Sequence, residues 1–458
     1  MDKILAYLKK NEKRFIRELC DYVRFPSISA QPQHRGDVRA CADWLVKHCR
    51  QIGIKTTLHP TAGHPIVLAR TFDRRTPGRP HFLLYGHYDV QPVDPLNLWK
   101  HPPFEPRITN GVLYGRGASD NKGQHFAHLK AVEAYLKTGT ALPCDLTLLI
   151  EGEEETGGVS LPGFLREHRS DLRCDAVVIS DNGIPDLKHP GLTYALRGIA
   201  ALEVRVEGPA RDLHSGLFGG SVDNPALVLC QLLASLRDGH GHLTIPGLYD
   251  EVQPLSRFER QAMARVPFSE RHYRRLLGVP RLFGEKGFTP NEQRTARPTL
   301  EINGLTSGYQ GEGSKTIVPA WASAKLTLRL VPNQKPRRVL ELVRRHLRKI
   351  CPPTVRLIVK LGHCGDPYWV SPQGPMARAA MKALQEAFGC EPVLLREGGS
   401  IPIVNDFKTI LGAETLLLGL SLPDDNPHSP NEKFDLACFR HGMRLGVGLW
   451  SRLSANPR

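Results

Sequence analysis

Short apolar runs that alternate with helical patterns predict an α/β sheet in the first part of the chain. Residues 81–85, 146–150 and 176–179 have the length and composition of buried strands, and a similar run lies at 415–420. Between the first two runs, apolar side chains recur at helical spacing over residues 123–137. This order of strand, helix and strand is typical of a sheet that is covered by helices.

The pattern changes near residue 198. Strands that alternate apolar and polar positions are predicted at 201–207 and 325–331, around helices and a middle section rich in Gly and Pro. A helical pattern returns at residues 375–388. We therefore predict an α/β domain formed by residues 1–197 and 365–458, with a smaller α+β domain inserted at 198–364.

The composition excludes several classes of protein. The chain has 458 residues, of which 41% are hydrophobic, so it is not a largely disordered protein. The apolar stretches fall far short of the ~20 residues that a membrane-spanning helix requires. The first residues show helical spacing with charges between the apolar positions, which predicts an amphipathic helix rather than a signal peptide. Because the ten cysteines are scattered without a CxxC pair, we expect a cytoplasmic protein without a disulfide framework.

The net charge of +15 raises the question of a nucleic-acid partner. The densest basic stretch, residues 337–349, interleaves its arginines with apolar residues, as an amphipathic helix with a solvated basic face does. The sequence has no RNA-binding aromatic motif, zinc finger or long basic tail. We therefore expect no nucleic-acid and no membrane partner, and some of the charge can attract acidic substrates.

A further short strand is predicted at 113–114, and polar residues follow each of the five predicted strands outside the insertion, at or soon after the point where the strand ends. Because open α/β sheets place their sites beyond the carboxyl ends of the strands, we expect these residues to converge. Nitrogen and oxygen ligands without thiolates suit zinc, manganese or cobalt. The residues are His87, Asp89, Asp120, Glu153, Glu154, Glu155, Asp181 and His428.

Each of these residues alone has an ordinary structural interpretation. A single histidine such as His428 is usually a surface residue, and a run of glutamates is usually a solvated loop. Asp120, in a Gly-rich turn, can simply cap the helix that follows it. The coincidence of five strand ends favours a metal site over these alternatives.

The residue types also indicate what the site can do. Asp120 is best placed to bridge two divalent cations, which would leave a position for a shared hydroxide. Asp89 can hydrogen-bond the far nitrogen of His87 and so fix its tautomer. Of the consecutive glutamates, one can bind a metal while its neighbour deprotonates the water.

Eight motifs together resemble one known family. The chain is similar to the co-catalytic zinc metallopeptidases that include cytosolic non-specific dipeptidase, carnosinase, acetylornithine deacetylase and succinyl-diaminopimelate desuccinylase, with the dipeptidase branch closest. The motifs span nearly the whole chain. They are GHYDVQP from Gly86, LYGRGASDNKG from Leu113, EGEEETGG from Glu151, ISDN from Ile179, RDLHSG from Arg211, GSKTIVPA from Gly313, REGGSIP from Arg396 and HSPNEKF from His428.

The resemblance implies a role for each candidate residue. It implies a catalytic domain with a mixed, mainly parallel sheet flanked by helices, and an inserted lid domain that forms a homodimer. It also implies a cis peptide bond after Asp120 and two metal ions, with zinc expected. The implied metal ligands are His87 and Asp181 for one ion, Glu155 and His428 for the other, and Asp120 for both. Glu154 is the implied general base, Asp89 orients His87, the partner's His214 stabilises the oxyanion, and Thr316, Arg329 and Ser400 hold the substrate carboxylate.

Two features of these matches leave alternatives open. Glu153 makes three consecutive glutamates where the family usually has a non-acidic residue first, and a shift by one residue would exchange base and ligand. Gly157-Gly158 sets the register that we adopt. Without the resemblance, His214 is a loop residue, Arg329 faces solvent from a strand, and Ser400 lies in a turn.

The expected activity is hydrolysis of dipeptides of broad specificity by a two-metal aminodipeptidase. The nearest alternative is an N-acyl-amino-acid deacylase or a carboxypeptidase of the same family, which would use the same metal ligands. A metal-dependent phosphoesterase and a catalytically silent binding protein are more distant alternatives. Whether the substrate must have a free α-amino group distinguishes the aminodipeptidase from this nearest alternative.

Overall fold

The structure is a computed structural model that describes residues 1–399, 401 and 403–455. Its helices are α1 (Asp2–Val23), α2 (Arg35–Ile52), α3 (Gln124–Lys137), α4 (Leu161–Glu167), α5 (Arg169–Leu172), α6 (Ser215–Phe218), α7 (Pro225–Ala234), α8 (Arg257–Ala264), α9 (Glu270–Leu277), α10 (Pro290–Ala296), α11 (Pro336–Ile350), α12 (Pro375–Phe388), α13 (Ile403–Asp406) and α14 (Leu436–Ser454). Its strands are β1 (Lys55–His59), β2 (Ile66–Arg70), β3 (His81–His87), β4 (Arg107–Thr109), β5 (Val112–Tyr114), β6 (Asp145–Glu151), β7 (Ala176–Ile179), β8 (Gly191–Leu196), β9 (Gly198–Glu207), β10 (Leu213–His214), β11 (Thr299–Ser307), β12 (Ile317–Val318), β13 (Trp321–Leu330), β14 (Arg356–Gly365), β15 (Tyr368–Trp369), β16 (Val393–Glu397), β17 (Glu414–Leu418) and β18 (Lys433–Asp435).

A nine-stranded mixed sheet forms the centre of the larger part of the molecule. Its strand order is β1-β2-β6-β3-β7-β17-β8-β15, with β16 also paired to β8. The central neighbours β6, β3, β7 and β17 are all parallel, and the antiparallel pairs lie toward the two edges. Every residue of β3, β6 and β7 is buried, as expected for parallel strands covered on both faces. The predicted mixed sheet flanked by helices is therefore confirmed.

Helix α3 is more deeply buried than its sequence pattern predicts. The apolar spacing indicates one buried face, yet all residues from Gln124 to Tyr135 are buried. Helices α1 and α14 pack against α3 and close off its polar side. The polar residues there find internal partners, as His128 does through Nε2 to the Ser180 hydroxyl at 2.8 Å. Tertiary contacts therefore decide the exposure of this helix.

A second hydrophobic core belongs to the inserted part of the chain. Four antiparallel strands in the order β11-β13-β9-β14 form its sheet, and helices α7 and α11 pack on that sheet. In α11 the apolar residues Val339, Leu340, Val343 and Leu347 are buried, so the basic stretch is the predicted amphipathic helix. The α+β character of this insertion is confirmed, and its boundaries at 198 and 364 stay a prediction.

One predicted strand does not belong to the large sheet. The run at 113–114 forms β5, which pairs with β4 and β18 in a separate three-stranded sheet. Asp120 therefore lies on a turn that follows a strand outside the large sheet. The expectation that five strand ends of one sheet form the site is wrong in this respect. Among the described helices, none combines the length and apolar composition needed to cross a membrane.

Candidate metal centre

His87 lies at the carboxyl end of β3, between the ends of β6 and β7. Its Nε2 is 3.1 Å from Oδ1 of Asp120 and 3.6 Å from Oδ2 of Asp181. Asp181 follows β7 by two residues, and β7 is the parallel neighbour of β3. Adjacent parallel strands therefore bring these two ligand candidates together, as the sequence predicts.

The carboxylate of Asp120 lies between two histidines. Oδ1 faces His87, and Oδ2 is 2.9 Å from Nε2 of His428. The turn that carries Asp120 begins after Gly117, whose φ of 84° is in the left-handed region where glycine is favoured. The peptide bond from Asp120 to Asn121 is cis, as the resemblance implies. Each oxygen of this carboxylate thus lies close to a different imidazole ring.

The three consecutive glutamates have different surroundings. Glu153 accepts hydrogen bonds from the backbone N–H groups of His64 and Ser160, both at 3.1 Å, and so stabilises its own loop. Glu155 places Oε2 at 3.3 Å from Nε2 of His428 and accepts a hydrogen bond from Gln91 at 2.7 Å. This arrangement is compatible with the register in which Glu154 and Glu155 are the functional pair.

Asp89 connects His87 with the glutamate loop. Its Oδ1 is 3.4 Å from Nδ1 of His87, and its main-chain carbonyl accepts from the same nitrogen at 3.1 Å. Its Oδ2 accepts from the Ser29 hydroxyl at 2.6 Å and from the backbone N–H of Glu155 at 3.1 Å. The side chain is fully buried. Its position is that of a carboxylate that holds an imidazole ring and its tautomer in place.

Burial and the crowding of carboxylates shift the pKa values of the groups in this cluster. Burial, with the Asp120 carboxylate next, raises the pKa of Glu155 to about 8. Burial also raises the pKa of Glu154 to about 7, against the opposing effect of His87. The hydrogen bond to Asp120 raises the pKa of His428 to about 9 despite partial burial. For His87, burial acts to lower the pKa, but the surrounding carboxylates led by Asp181 hold it well above 6.5.

These shifts describe a concentration of buried carboxylates that keeps protons on its histidines and glutamates. A divalent ion would replace those protons and neutralise the like charges. Donor atoms of His87, Asp120 and Glu155 lie within 4.8 Å of one another, a spacing that suits a metal centre. The chemistry of the donor set therefore fits the metal ions that the motifs predict.

Asp181 is held in place by a chain of hydrogen bonds that the sequence did not indicate. The Asn121 amide donates to Oδ1 of Asp181 at 2.8 Å and accepts from Nδ1 of His125 at 3.0 Å. Because that amide oxygen can only accept, His125 carries its proton on Nδ1, and Nε2 accepts from the Tyr22 hydroxyl at 3.1 Å. Burial, then the charge of His87, lowers the pKa of His125 well below 6.5, so the ring is neutral. The spacing of Asn121 and His125 by four residues was the one signal available in the sequence.

The predicted substrate residues lie apart from this cluster. His214 and Thr316 are exposed neighbours at the paired strands β10 and β12, where the backbone N–H of Ser215 bonds the Thr316 carbonyl. In the part of the chain that the structure describes, no hydrogen bond or ion pair joins His214 to the candidate metal ligands. Arg329 is half-buried on β13 beside Ile199 of β9. Ser400 lies outside the described residues.

Comparison with known proteins places this arrangement in a family. The sequence profile of peptidase family M20/M25/M40 matches residues 83–452. The Cys-Gly metallodipeptidase DUG1 of Candida albicans is 34% identical over 95% of this chain and 94% of its own. The structure of human carnosine dipeptidase 1 is 29% identical, with a TM-score of 0.81 over 99% of this chain and 98% of that one. The metallo-carboxypeptidase Sso-CP2 of Sulfolobus solfataricus is 30% identical, with a TM-score of 0.82 over 96% and 99% of the two chains. This chain therefore belongs to peptidase family M20/M25/M40.

Proposed function

We propose that this protein is a metal-dependent aminodipeptidase of broad specificity. The observation that carries the proposal is the Asp120 carboxylate, whose two oxygens face His87 and His428 at 3.1 and 2.9 Å. Asp181 lies on the His87 side and Glu155 on the His428 side of this carboxylate. Relatives named as Cys-Gly and β-Ala-His dipeptidases support the choice of dipeptides as substrates.

In this proposal Asp120 would be a ligand to both of two metal ions. His87 and Asp181 would complete the ligands of one ion, and Glu155 and His428 would complete those of the other. Zinc is the proposed ion, and manganese or cobalt would also suit these nitrogen and oxygen ligands. When bound, the ions would supply Lewis acidity that polarises the peptide carbonyl and acidifies water.

The remaining polar groups would move protons and hold the ligands in place. Glu154 takes the proton of the attacking water on its carboxylate and passes it to the leaving amine. Asp89 holds the His87 ring through Nδ1, so that Nε2 is directed at Asp120.

The carboxylate and the scissile carbonyl of the substrate would be recognised by residues of the inserted part of the chain and of the loop after β16. Arg329, Thr316 and Ser400 would hold the free carboxylate. His214 would act as an oxyanion donor in the site of a partner subunit, which requires a homodimer through the inserted domain. The exposure of His214, next to the 75%-exposed Leu217, supports an intermolecular role for this surface. A cytoplasmic location is part of the proposal, supported by the scattered cysteines.

A substrate panel tests this proposal. The metal-stripped protein, with and without added Zn²⁺ or Mn²⁺, would be assayed against dipeptides in free, N-acetylated and C-amidated forms, against N-acetylated amino acids and against tripeptides. Metal-dependent cleavage of the free dipeptides alone is the expected result. Cleavage of N-acylated amino acids would instead indicate a deacylase, and release of C-terminal residues from tripeptides would indicate a carboxypeptidase. No cleavage of any of these amides by the metal-loaded protein would contradict the hydrolase function itself.

A further inference from the structure

A single buried carboxylate holds the turn that carries Asp120. Glu432 is fully buried, and its Oε1 accepts from the backbone N–H groups of Ser119 at 2.9 Å and Asp120 at 3.0 Å. Its Oε2 accepts from the Gly117 N–H at 2.9 Å and from Nη1 of Arg116 at 2.8 Å. All four donors belong to the short segment that ends at the proposed bridging ligand.

The same carboxylate lies on the loop that supplies His428. Glu432 follows His428 by four residues, just before β18, and β18 pairs with β5, the strand that precedes the Asp120 turn. The main-chain carbonyl of Glu432 also accepts from the Gly115 N–H at 3.0 Å. The loop is thus tied to the turn through both its backbone and its side chain. The contact between His428 and Oδ2 of Asp120 depends on this attachment.

The charge of Glu432 is balanced by a buried arginine. Arg116 is buried with 1% of its side chain exposed and forms the ion pair. Its second nitrogen, Nη2, donates to the Pro92 carbonyl at 3.1 Å. Charge-assisted hydrogen bonds of this kind are short and directional, so the carboxylate constrains each N–H that it accepts from.

We propose that Glu432 is a positioning residue for the metal centre, which presets the bridging carboxylate of Asp120 relative to His428. This inference rests on the proposed function. Glu432 itself touches neither substrate nor metal; it acts through the backbone of Asp120. A bridging carboxylate must present both oxygens at once, so a small rotation of its turn weakens both metal contacts.

The variant Glu432→Gln tests the proposal, because its amide keeps the size of the side chain but replaces one acceptor oxygen with a donor. The metal-stripped protein would be titrated with Co²⁺, following the visible absorption and the number of ions bound, and kcat and KM would be measured on the reconstituted enzyme. We expect metal affinity to fall about 10- to 100-fold, as for other groups that support metal ligands. The cobalt spectrum should shift, and kcat should fall while KM changes less than about twofold.

Glu292→Gln is the matched control. Glu292 is also a buried glutamate that accepts from a backbone N–H, that of Thr289 at 2.8 Å, and from an arginine, Arg260, at 2.7 Å. We expect this variant to keep wild-type metal affinity and cobalt spectrum. If Glu432→Gln does not fold, Glu432→Asp keeps the ion pair with Arg116 but withdraws the carboxylate from the turn.

The outcomes separate this inference from the proposed function. If the folded Glu432 variant binds Co²⁺ with the affinity and spectrum of the wild type, the positioning role is wrong while the metal centre stands. If the wild type itself binds no metal at this centre, the proposed function fails first. A spectrum that changes only in the Glu432 variants supports the inference.

Discussion

Two clusters in this molecule combine carboxylates with histidine and have similar donor groups. They differ in the positively charged groups that the protein itself places among these donors. In one, donor atoms of His87, Asp120 and Glu155 lie within 4.8 Å of one another. In the other, donor atoms of Glu18 of α1, His48 of α2 and Glu133 of α3 also lie within 4.8 Å of one another. Donor type and spacing therefore do not distinguish a metal centre from a structural cluster.

The second cluster already contains a cation of the protein. The Lys130 ammonium lies 2.6 Å from Glu18, 2.6 Å from Nε2 of His48 and 2.9 Å from Glu133. In the first cluster, the ion pairs among the described residues are made with histidines alone. Buried carboxylates need a compensating charge. The comparison supports the proposal that the cluster around Asp120 takes this charge from a bound metal ion.

The largest expected effect follows from removing the shared ligand of the first cluster. Asp120→Ala should lose the bound metal and at least about a thousandfold of activity, because both ions depend on this carboxylate. Metal content by mass spectrometry and turnover of a dipeptide measure the two losses. Asp186→Ala, which breaks a surface pair with His189 at 2.8 Å, is the control and should change neither. Retention of full metal content in Asp120→Ala would contradict the shared site.

The next prediction separates a loss of catalytic rate from a loss of bound metal in the same cluster. Glu154→Gln should lower kcat by a factor on the order of 10³, within the range for removal of a general base, and should keep the metal. The measurements are kcat and metal content of the same preparation. Full activity would contradict the base assignment. Loss of metal would instead show that the glutamate register is shifted and that Glu154 is a ligand.

A stability effect is expected in the second cluster. Lys130→Met would remove the buried cation and leave Glu18 and Glu133 with the partly exposed Arg14 as their remaining partner, at a cost of about 3 kcal/mol in free energy of unfolding. Metal affinity of the folded variant should be unchanged. Urea denaturation measures the loss, and Lys137→Met, at the exposed C-terminal end of the same helix, should stay within about 0.5 kcal/mol of the wild type. Equal stability of both variants would show that Lys130 does not supply the charge balance.

The smallest effect concerns the pH dependence of the second cluster. Burial, then the Lys130 ammonium, lowers the pKa of His48 to about 3. Below pH 6.5 the unfolded chain therefore binds a proton that the native state does not, and stability falls as the pH falls. We expect His48→Gln to flatten this slope by up to about 1.4 kcal/mol per pH unit between pH 6 and 4. The exposed His240→Gln should leave the slope unchanged; an unchanged slope in His48→Gln as well would contradict the native-state neutrality of His48.

Local patterns were sufficient to predict much of the large sheet and the chemical nature of the site. Strand β7 coincides with the predicted run at 176–179, and helix α12 with the predicted helix at 375–388. Such elements are predictable because periodicity and strand length depend on near neighbours along the chain. The separate three-stranded sheet was not predicted, since β5 has the same apolar pattern as a strand of the large sheet and differs only in its partners.

The residues that hold these clusters in place were harder to predict from the sequence. Glu432 and Asp120 are 312 residues apart and meet only in the folded chain. The same is true of Lys130 and Glu18, which are 112 residues apart. A buried acid looks the same in sequence whether it binds a backbone turn, an ammonium group or a metal ion.

The sequence by itself determined which side chains could bind a metal and placed most of them at the ends of strands, because both properties are local. The tertiary structure decided which acids meet His87 and His428, which glutamate of the run turns away, and which cluster contains Lys130. The physical reason is that charge compensation in a buried site depends on groups brought together by packing, over separations along the chain that no local pattern encodes.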